Sequence, residues 1–274
     1  MSIKIKFWGV RGSIPTPGIE FCEYGGNTSC VELILDDALI IFDMGSGLKY
    51  LGESLIKRKV KTFDIFLSHF HYDHTCGLPF FAPAYDKISK FNIRSSLLNS
   101  RGGTFDTLMK QMSKPSFPIT INDFLAKIKF IDFELGKDFS LKNNILVKTF
   151  SLNHPDGATG YRINYDNKSV CYITDHEHVI GENNKKLVSF IEGSDILIYD
   201  STFADEEFKS FIGWGHSTWQ EGIRLAKKAN IKKHIIYHHN PDNNDKKMNS
   251  IYNKIKNSNL DIEIAKEGMQ ITLK

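Results

Sequence analysis

Apolar residues in this chain gather in short runs divided by polar turns, at positions 3–7, 31–35, 39–42, 63–67, 145–150, 161–165, 170–174, 196–199, 234–237, 262–265 and 270–273. Runs this short, rich in Ile, Val, Phe and Tyr, predict β-strands. Elsewhere helical spacing takes over. Residues 46–59 carry Leu48, Leu51, Leu55 and Ile56 on one stripe. Residues 218–229 follow Ser217 or Thr218 as N-cap, with Glu221 at capping-box distance, and residues 245–258 form a third helix. Strands in hairpin-like groups, then helices, then strands again favour sheets covered by helices over a purely doubly wound sheet.

The stretch 86–130 breaks the pattern. It holds Lys87, Lys90, Arg94, Arg101, Gly102, Gly103, Pro115 and Pro118, with a helix expected at 104–114. It reads as a lid-like insertion within one domain spanning 1–274. No internal repeat, low-complexity tract or linker divides the chain.

Composition changes this picture little. At 274 residues, 41% hydrophobic and 24% charged, the chain can bury a sizeable core. A net charge of +3 suits an anionic substrate but falls short of the basic stripe that marks a dedicated nucleic-acid binder. Cys22, Cys30, Cys76 and Cys171 are scattered, as reduced thiols are. No apolar run approaches the ~20 residues that span a bilayer. Met1 to Phe7 alternates apolar and basic residues, which suits a strand better than a signal peptide. A cytoplasmic protein is expected, with no membrane partner; a homodimer is compatible with the sequence.

The chemistry concentrates in Ser68-His69-Phe70-His71-Tyr72-Asp73-His74, directly after the apolar run at 63–67. His69 and His71, two residues apart on extended chain, point the same way. Asp73 and His74 then lie on a turn and reach a second position. Gly77 and Leu78 open what reads as a further helix. Nitrogen and oxygen donors of this kind suit Zn²⁺ or another borderline divalent cation. Among ten histidines a chance pair means little, but three with an aspartate after a buried strand make a metal motif.

This run resembles the signature of the metallo-β-lactamase fold, and the remaining parts follow in order. His154 in Leu152-Asn153-His154-Pro155 resembles the third motif, Asp175 after Tyr172-Ile173-Thr174 the bridging carboxylate, and His239 in Tyr237-His238-His239-Asn240-Pro241 the final histidine. The resemblance implies an α/β fold, a four-layer αββα sandwich with two divalent ions at one edge. Zn²⁺ is favoured, with Mn²⁺ or Fe²⁺ as alternatives. It places His69, His71 and His154 on one metal and Asp73, His74 and His239 on the other, with Asp175 bridging. His238 competes with His239 for the last place.

Gly215-His216-Ser217-Thr218 and Ile198-Tyr199-Asp200-Ser201-Thr202-Phe203 resemble segments of ribonuclease Z and its phosphodiesterase relatives, with Asp200 replacing a glutamate. The resemblance implies a metal-bridging hydroxide attacking phosphorus. Asp73 and His216 then count among the catalytic groups, with Asp200 orienting His216. Yet Ser217 and Thr218 also make a plain helix cap, and Asp200 a plain strand end. The tRNA-gripping arm of ribonuclease Z would fall between His154 and Asp175, where no such segment fits. The expected substrate is therefore a small or single-stranded phosphodiester: a cyclic nucleotide, a nucleotide ester or an RNA end. A thioester or lactone hydrolase is the alternative, and a binding module without catalysis the third. A diiron oxidoreductase is disfavoured, because such proteins carry glutamate where this chain has His71.

Three further features stay open or auxiliary. The glycine-rich segments 9–15 and 24–29 could line an anion pocket or serve as turns. Asp43, at a strand end before Gly45, suits a residue that orients a ligand histidine. His176, Glu177 and His178 are unassigned.

Overall fold

Alternation along β1 (Ile3–Gly9) sends Ile3, Ile5 and Phe7 inward and leaves Lys4 exposed, and the same rule builds both sheets. The computed structural model describes residues 2–96 and 102–274; Arg101, counted in the lid-like stretch, lies outside them. The first sheet runs β14 (Gln270–Leu273), β1, β2 (Cys30–Leu35), β3 (Ala38–Phe42), β4 (Thr62–Phe66), β5 (Lys90–Ser96), β6 (Lys127–Phe133). The second runs β13 (Asp261–Ile264), β12 (Lys233–Tyr237), β11 (Ile196–Asp200), β10 (Lys168–Ile173), β9 (Ala158–Tyr165), β8 (Leu146–Leu152), β7 (Phe139–Ser140).

The sheets pack face to face. Phe7, Leu33, Phe42 and Phe66 of the first meet Tyr161, Tyr172, Ile198 and Tyr237 of the second in one core, with Phe42 stacked on Tyr172 at 4.8 Å. On the outer face of the first sheet, Ile41, Ile65 and Ile93 pack under α1 (Leu48–Lys57) and α2 (Thr104–Gln111). Leu197 and Tyr199 of the second sheet meet α3 (Lys185–Ile191) and α5 (Trp219–Lys228), while Ile236 and Ile264 meet α6 (Asp245–Ile255). Short α4 (Asp205–Phe208) precedes α5. The expected four layers are present. No helix among the described residues is long and apolar enough to cross a membrane.

Topology then gathers one set of loops. Strands β3 to β6 are parallel, as are β10 to β13. Parallel neighbours end on one edge, where α/β proteins place their ligands. Strand β8 runs with β10, since both are antiparallel to β9. The turns after β3, β4, β8, β10, β11 and β12 therefore open together.

Two expectations change. Both ends of 86–130 are partly sheet: β5 and the start of β6 extend the parallel half, with α2 between them in the chain. Polar residues alternating with apolar ones, Lys90, Asn92 and Arg94 in β5 and Lys127 and Lys129 in β6, hid these strands in the sequence. The helix after Gly77 is replaced by 3₁₀ turns at Leu78–Phe80 and Ala82–Tyr85, where Pro79 and Pro83 lack the N–H that a longer helix needs.

Candidate metal centre

The extended backbone at His71 and the 3₁₀ turn Tyr72–His74 divide the motif in two. Donor atoms of His69, His71 and His154 form one nest, and those of Asp73, His74, Asp175 and His238 another, each within 4.8 Å of one another. His154 Nε2 stands 3.1 Å from His71 Nδ1, and His74 Nε2 3.3 Å from His238 Nε2. Asp175 lies between. Its Oδ2 is 3.2 Å from His74 Nε2 and 3.3 Å from His238 Nε2; its Oδ1 is 3.7 Å from His154 Nε2 and 3.8 Å from His69 Nε2.

Hydrogen bonds behind the nests decide which nitrogens are lone pairs. The His74 ring meets the Asp43 carboxylate through Nδ1 at 2.8 Å, and His154 meets the Gly215 carbonyl through Nδ1 at 2.8 Å. Both oxygens can only accept, so both Nδ1 atoms donate and both Nε2 atoms present lone pairs inward. These inward lone pairs, beside the nitrogens of His238 and His71, are donors ready for a cation. His69 Nε2 and Asp175 Oδ1 are buried without a hydrogen-bond partner, a costly state in a protein interior. Divalent cations there would partner both atoms. The donor set fits them.

Electrostatics agree. Burial and neighbouring imidazoles hold His69 well below its usual range, and burial lowers His71 and His154, keeping all three neutral. Burial pushes Asp73 and Asp175 up, but the facing imidazoles, His74 and His238 foremost, outweigh it and hold both carboxylates well below their usual range. Burial lowers His74, yet Asp175, Asp73 and Asp43 outweigh it and raise the ring. This second nest calls for positive charge.

His239, expected as the last ligand, is not among these residues; His238 is. His239 points Nε2 at the Ala265 carbonyl, 2.8 Å away, and meets Tyr24 edge-on. Alternation along β12 puts Ile235 and Tyr237 in the inter-sheet core, so regular chain would carry His239 to that side. His238 instead adopts φ 58°, which breaks the pleat and sends its own ring to the site. Gly12 makes room: a Cβ there would lie 2.2 Å from His238 Cε1.

His216 and Asp200 stand beside the second nest. His216 Nδ1 is 2.9 Å from Asp200 Oδ2, and the ring stacks on His238 with centroids 5.0 Å apart. Burial opposes charge on His216, but Asp200 outweighs it and lifts the ring to about 9. Thr202 N and Oγ1 fix Asp200 Oδ1 at 3.0 and 2.9 Å. Thr218 also caps α5, its Oγ1 accepting from Glu221 N, so the cap reading of that segment holds, and it leaves His216 facing the centre.

Asp43 lies where expected, accepting also from Ser68 N, Ser68 Oγ and Tyr172 Oη. Sequence reasoning missed Ser13, whose N–H donates to Asp73 Oδ2 at 2.7 Å. It also left Glu177 unassigned; its Oε2 accepts from Gly213 N and Gly215 N. His178 bonds Ser217 Oγ, and His176 bonds Asn153 N. The 24–29 segment follows the turn reading, with Asn27 N and Thr28 N engaged by Glu267 and Ser46. Apart from Ser13, no signal in one sequence marks these contacts beyond proximity to a motif.

A family model described as "Beta-lactamase superfamily domain" matches residues 48–239. The ribonuclease Z of Picrophilus torridus is 26% identical over 321 aligned residues, covering 99% of this chain and 96% of its own. The metallo-beta-lactamase fold protein YhfI of Bacillus subtilis superposes with a TM-score of 0.75 at 18% identity over 99% of both chains. The short form of human tRNase Z gives 0.68 at 20% identity over 98% of both.

Proposed function

The chain belongs to the β-lactamase superfamily and is a metal-dependent hydrolase; we propose that it cleaves small or single-stranded phosphodiesters in a dinuclear centre. The observation that carries this reading is the buried His216–Asp200 pair beside two complete ligand nests. His69, His71 and His154 would hold one ion, Asp73, His74 and His238 the other, and Asp175 lies within reach of both nests. Divalent ions there, Zn²⁺ foremost, supply Lewis acidity to the phosphoryl oxygens and lower the pKa of water.

The chain's own residues do the rest. Asp43, Ser68 and the Gly215 carbonyl fix the tautomers of the ligand histidines. Asp200 accepts a hydrogen bond from His216 Nδ1–H, which leaves the Nε2 proton available for the departing alkoxide. Residues between β5 and β6 wall one side, where a cavity of about 220 Å³ lies among His69, His71, Thr107, Gln111 and Gly157. The 153–176 segment is taken up by β9 and β10, which leaves no room for a tRNA-gripping arm and favours small diesters or RNA ends over whole tRNA.

The test is turnover of methyl p-nitrophenyl phosphate by the zinc-loaded protein. His216→Ala should lower kcat by about 10²–10⁴ with two metal equivalents retained. Undiminished kcat would remove His216 from the reaction. Hydrolysis of S-lactoyl-glutathione or an acyl-homoserine lactone without any of the diester would favour the carbonyl reading instead.

A further inference from the structure

Next to the metal centre a large apolar ring is held out into solvent. Trp214 is 61% exposed, on the loop that leads into Gly215 and His216. That loop is fixed, not loose. Glu177 Oε2 accepts from Gly213 N at 2.7 Å and from Gly215 N at 2.8 Å. Phe211 stacks on buried Phe203 with centroids 4.3 Å apart and planes at 7°, and Trp214 stands edge-on against Phe211 at 5.3 Å. Gly215 adopts φ 84°, and a Cβ there would lie 2.1 Å from His154 Nδ1. The loop is thus locked to the centre it borders.

Single exposed apolar residues are ordinary. A tryptophan braced by a clamped backbone and an aromatic stack is not the same case, because its posture is set before any ligand arrives. Two trans peptides separate its Cα from that of His216, at most about 7.6 Å. The span from a phosphate across one ribose to its base is of the same order as that separation, which puts the loop carrying the indole within reach of a base whose phosphate sits at the metals. We propose that Trp214 is a stacking platform for a nucleobase of the substrate, with Glu177 as the residue that positions it. This rests on the phosphodiester reading and narrows it to nucleotide-bearing diesters. The occupant is a base, not a protein face: beside Trp214 only Ile212 adds large exposed apolar surface to the loop, too little for a protein interface.

Isothermal titration of the zinc-loaded protein with adenosine monophosphate and with ribose 5-phosphate isolates the base, since both ligands carry the same phosphate. Stacking of one base predicts about 5- to 150-fold tighter binding of the nucleotide. Trp214→Ala should bring that ratio close to unity with an unchanged melting temperature, and Trp214→Phe should restore most of it. Equal affinities in the wild type, no binding of either ligand, or a ratio that survives Trp214→Ala would each overturn the proposal. Methyl p-nitrophenyl phosphate, which has no base, tests the phosphodiester reading separately. Its failure to turn over would remove that reading, while the binding ratio still decides the platform.

Discussion

Replacing Asp43 by asparagine isolates what a residue that touches no metal contributes to the centre. The carboxylate accepts from Ser68 N at 2.7 Å, Ser68 Oγ at 2.9 Å, Tyr172 Oη at 2.7 Å and His74 Nδ1 at 2.8 Å. Asparagine offers one acceptor oxygen where these donors need two. Its amide nitrogen must face a donor, which costs about 1–3 kcal/mol in the folded protein. The sharper effect falls on His74. Without an anion behind Nδ1 the ring loses both its fixed tautomer and part of its basicity, and such changes weaken metal binding by about 10- to 100-fold, or about 1.4–2.7 kcal/mol. A competitive zinc titration against a chromogenic chelator reads this, with circular dichroism to confirm folding. The equivalent held by Asp73, His74, Asp175 and His238 should weaken most, and the one held by His69, His71 and His154, reached only through Ser68 Oγ, should weaken less. A folded Asp43→Asn protein with both affinities intact, or with both reduced alike, would refute the reasoning.

Three other outcomes are expected. Gly12→Ala should push the His238 ring out of place, since the new methyl would lie 2.2 Å from it; metal analysis should then find about one equivalent of zinc instead of two. Chelation should destabilise the protein by about 4 kcal/mol per site relative to free zinc at a thousandfold excess over Kd, measured by urea unfolding. His234, buried under α5 and far from the centre, is pushed down to about 4 by burial. Unfolded chain binds its proton near 6.5, so the stabilisation is complete above pH 6.5 and is lost as pH falls toward 4. The loss attributable to this ring is about 3 kcal/mol; chemical denaturation across that range should show it, and His234→Gln should lessen it.

The strands were legible wherever a run was apolar on both faces, because β3, β4, β10, β11 and β12 are buried between helices and the opposite sheet. Such runs leave no other reading. Strands β5 and β6 escaped because polar residues at alternate positions, Lys90, Asn92 and Arg94 in β5 and Lys127 and Lys129 in β6, break the apolar run. Strand β7 has two residues and leaves no pattern at all. Short α3 and α4 went unread for the same reason: a helix of one or two turns has too few positions to show a period.

The centre itself was legible to the extent that its chemistry sits in consecutive residues. The run from His69 to His74 carries four of the donors and both nests. The one place where the structure gathers a different donor than expected, His238 for His239, has a physical cause that recurs around the site. Asp43, Asp175 and His238 each follow a strand, and each has positive φ, at 60°, 55° and 58°. That conformation costs a residue other than glycine about 1–3 kcal/mol where strained, and asparagine or aspartate least. It also ends alternation, so the side chain faces where the pleat would not send it. For Asp43 this did not matter, since no rival donor stood beside it, and at Asp175 the match to the bridging-carboxylate motif set it apart from His176. After Tyr237 two histidines follow in succession, and only the backbone turn at His238 decides between them. The same turn needs Gly12 on an opposing loop more than two hundred residues away in the chain. A choice made by a tertiary contact at that distance has no local signature in the sequence.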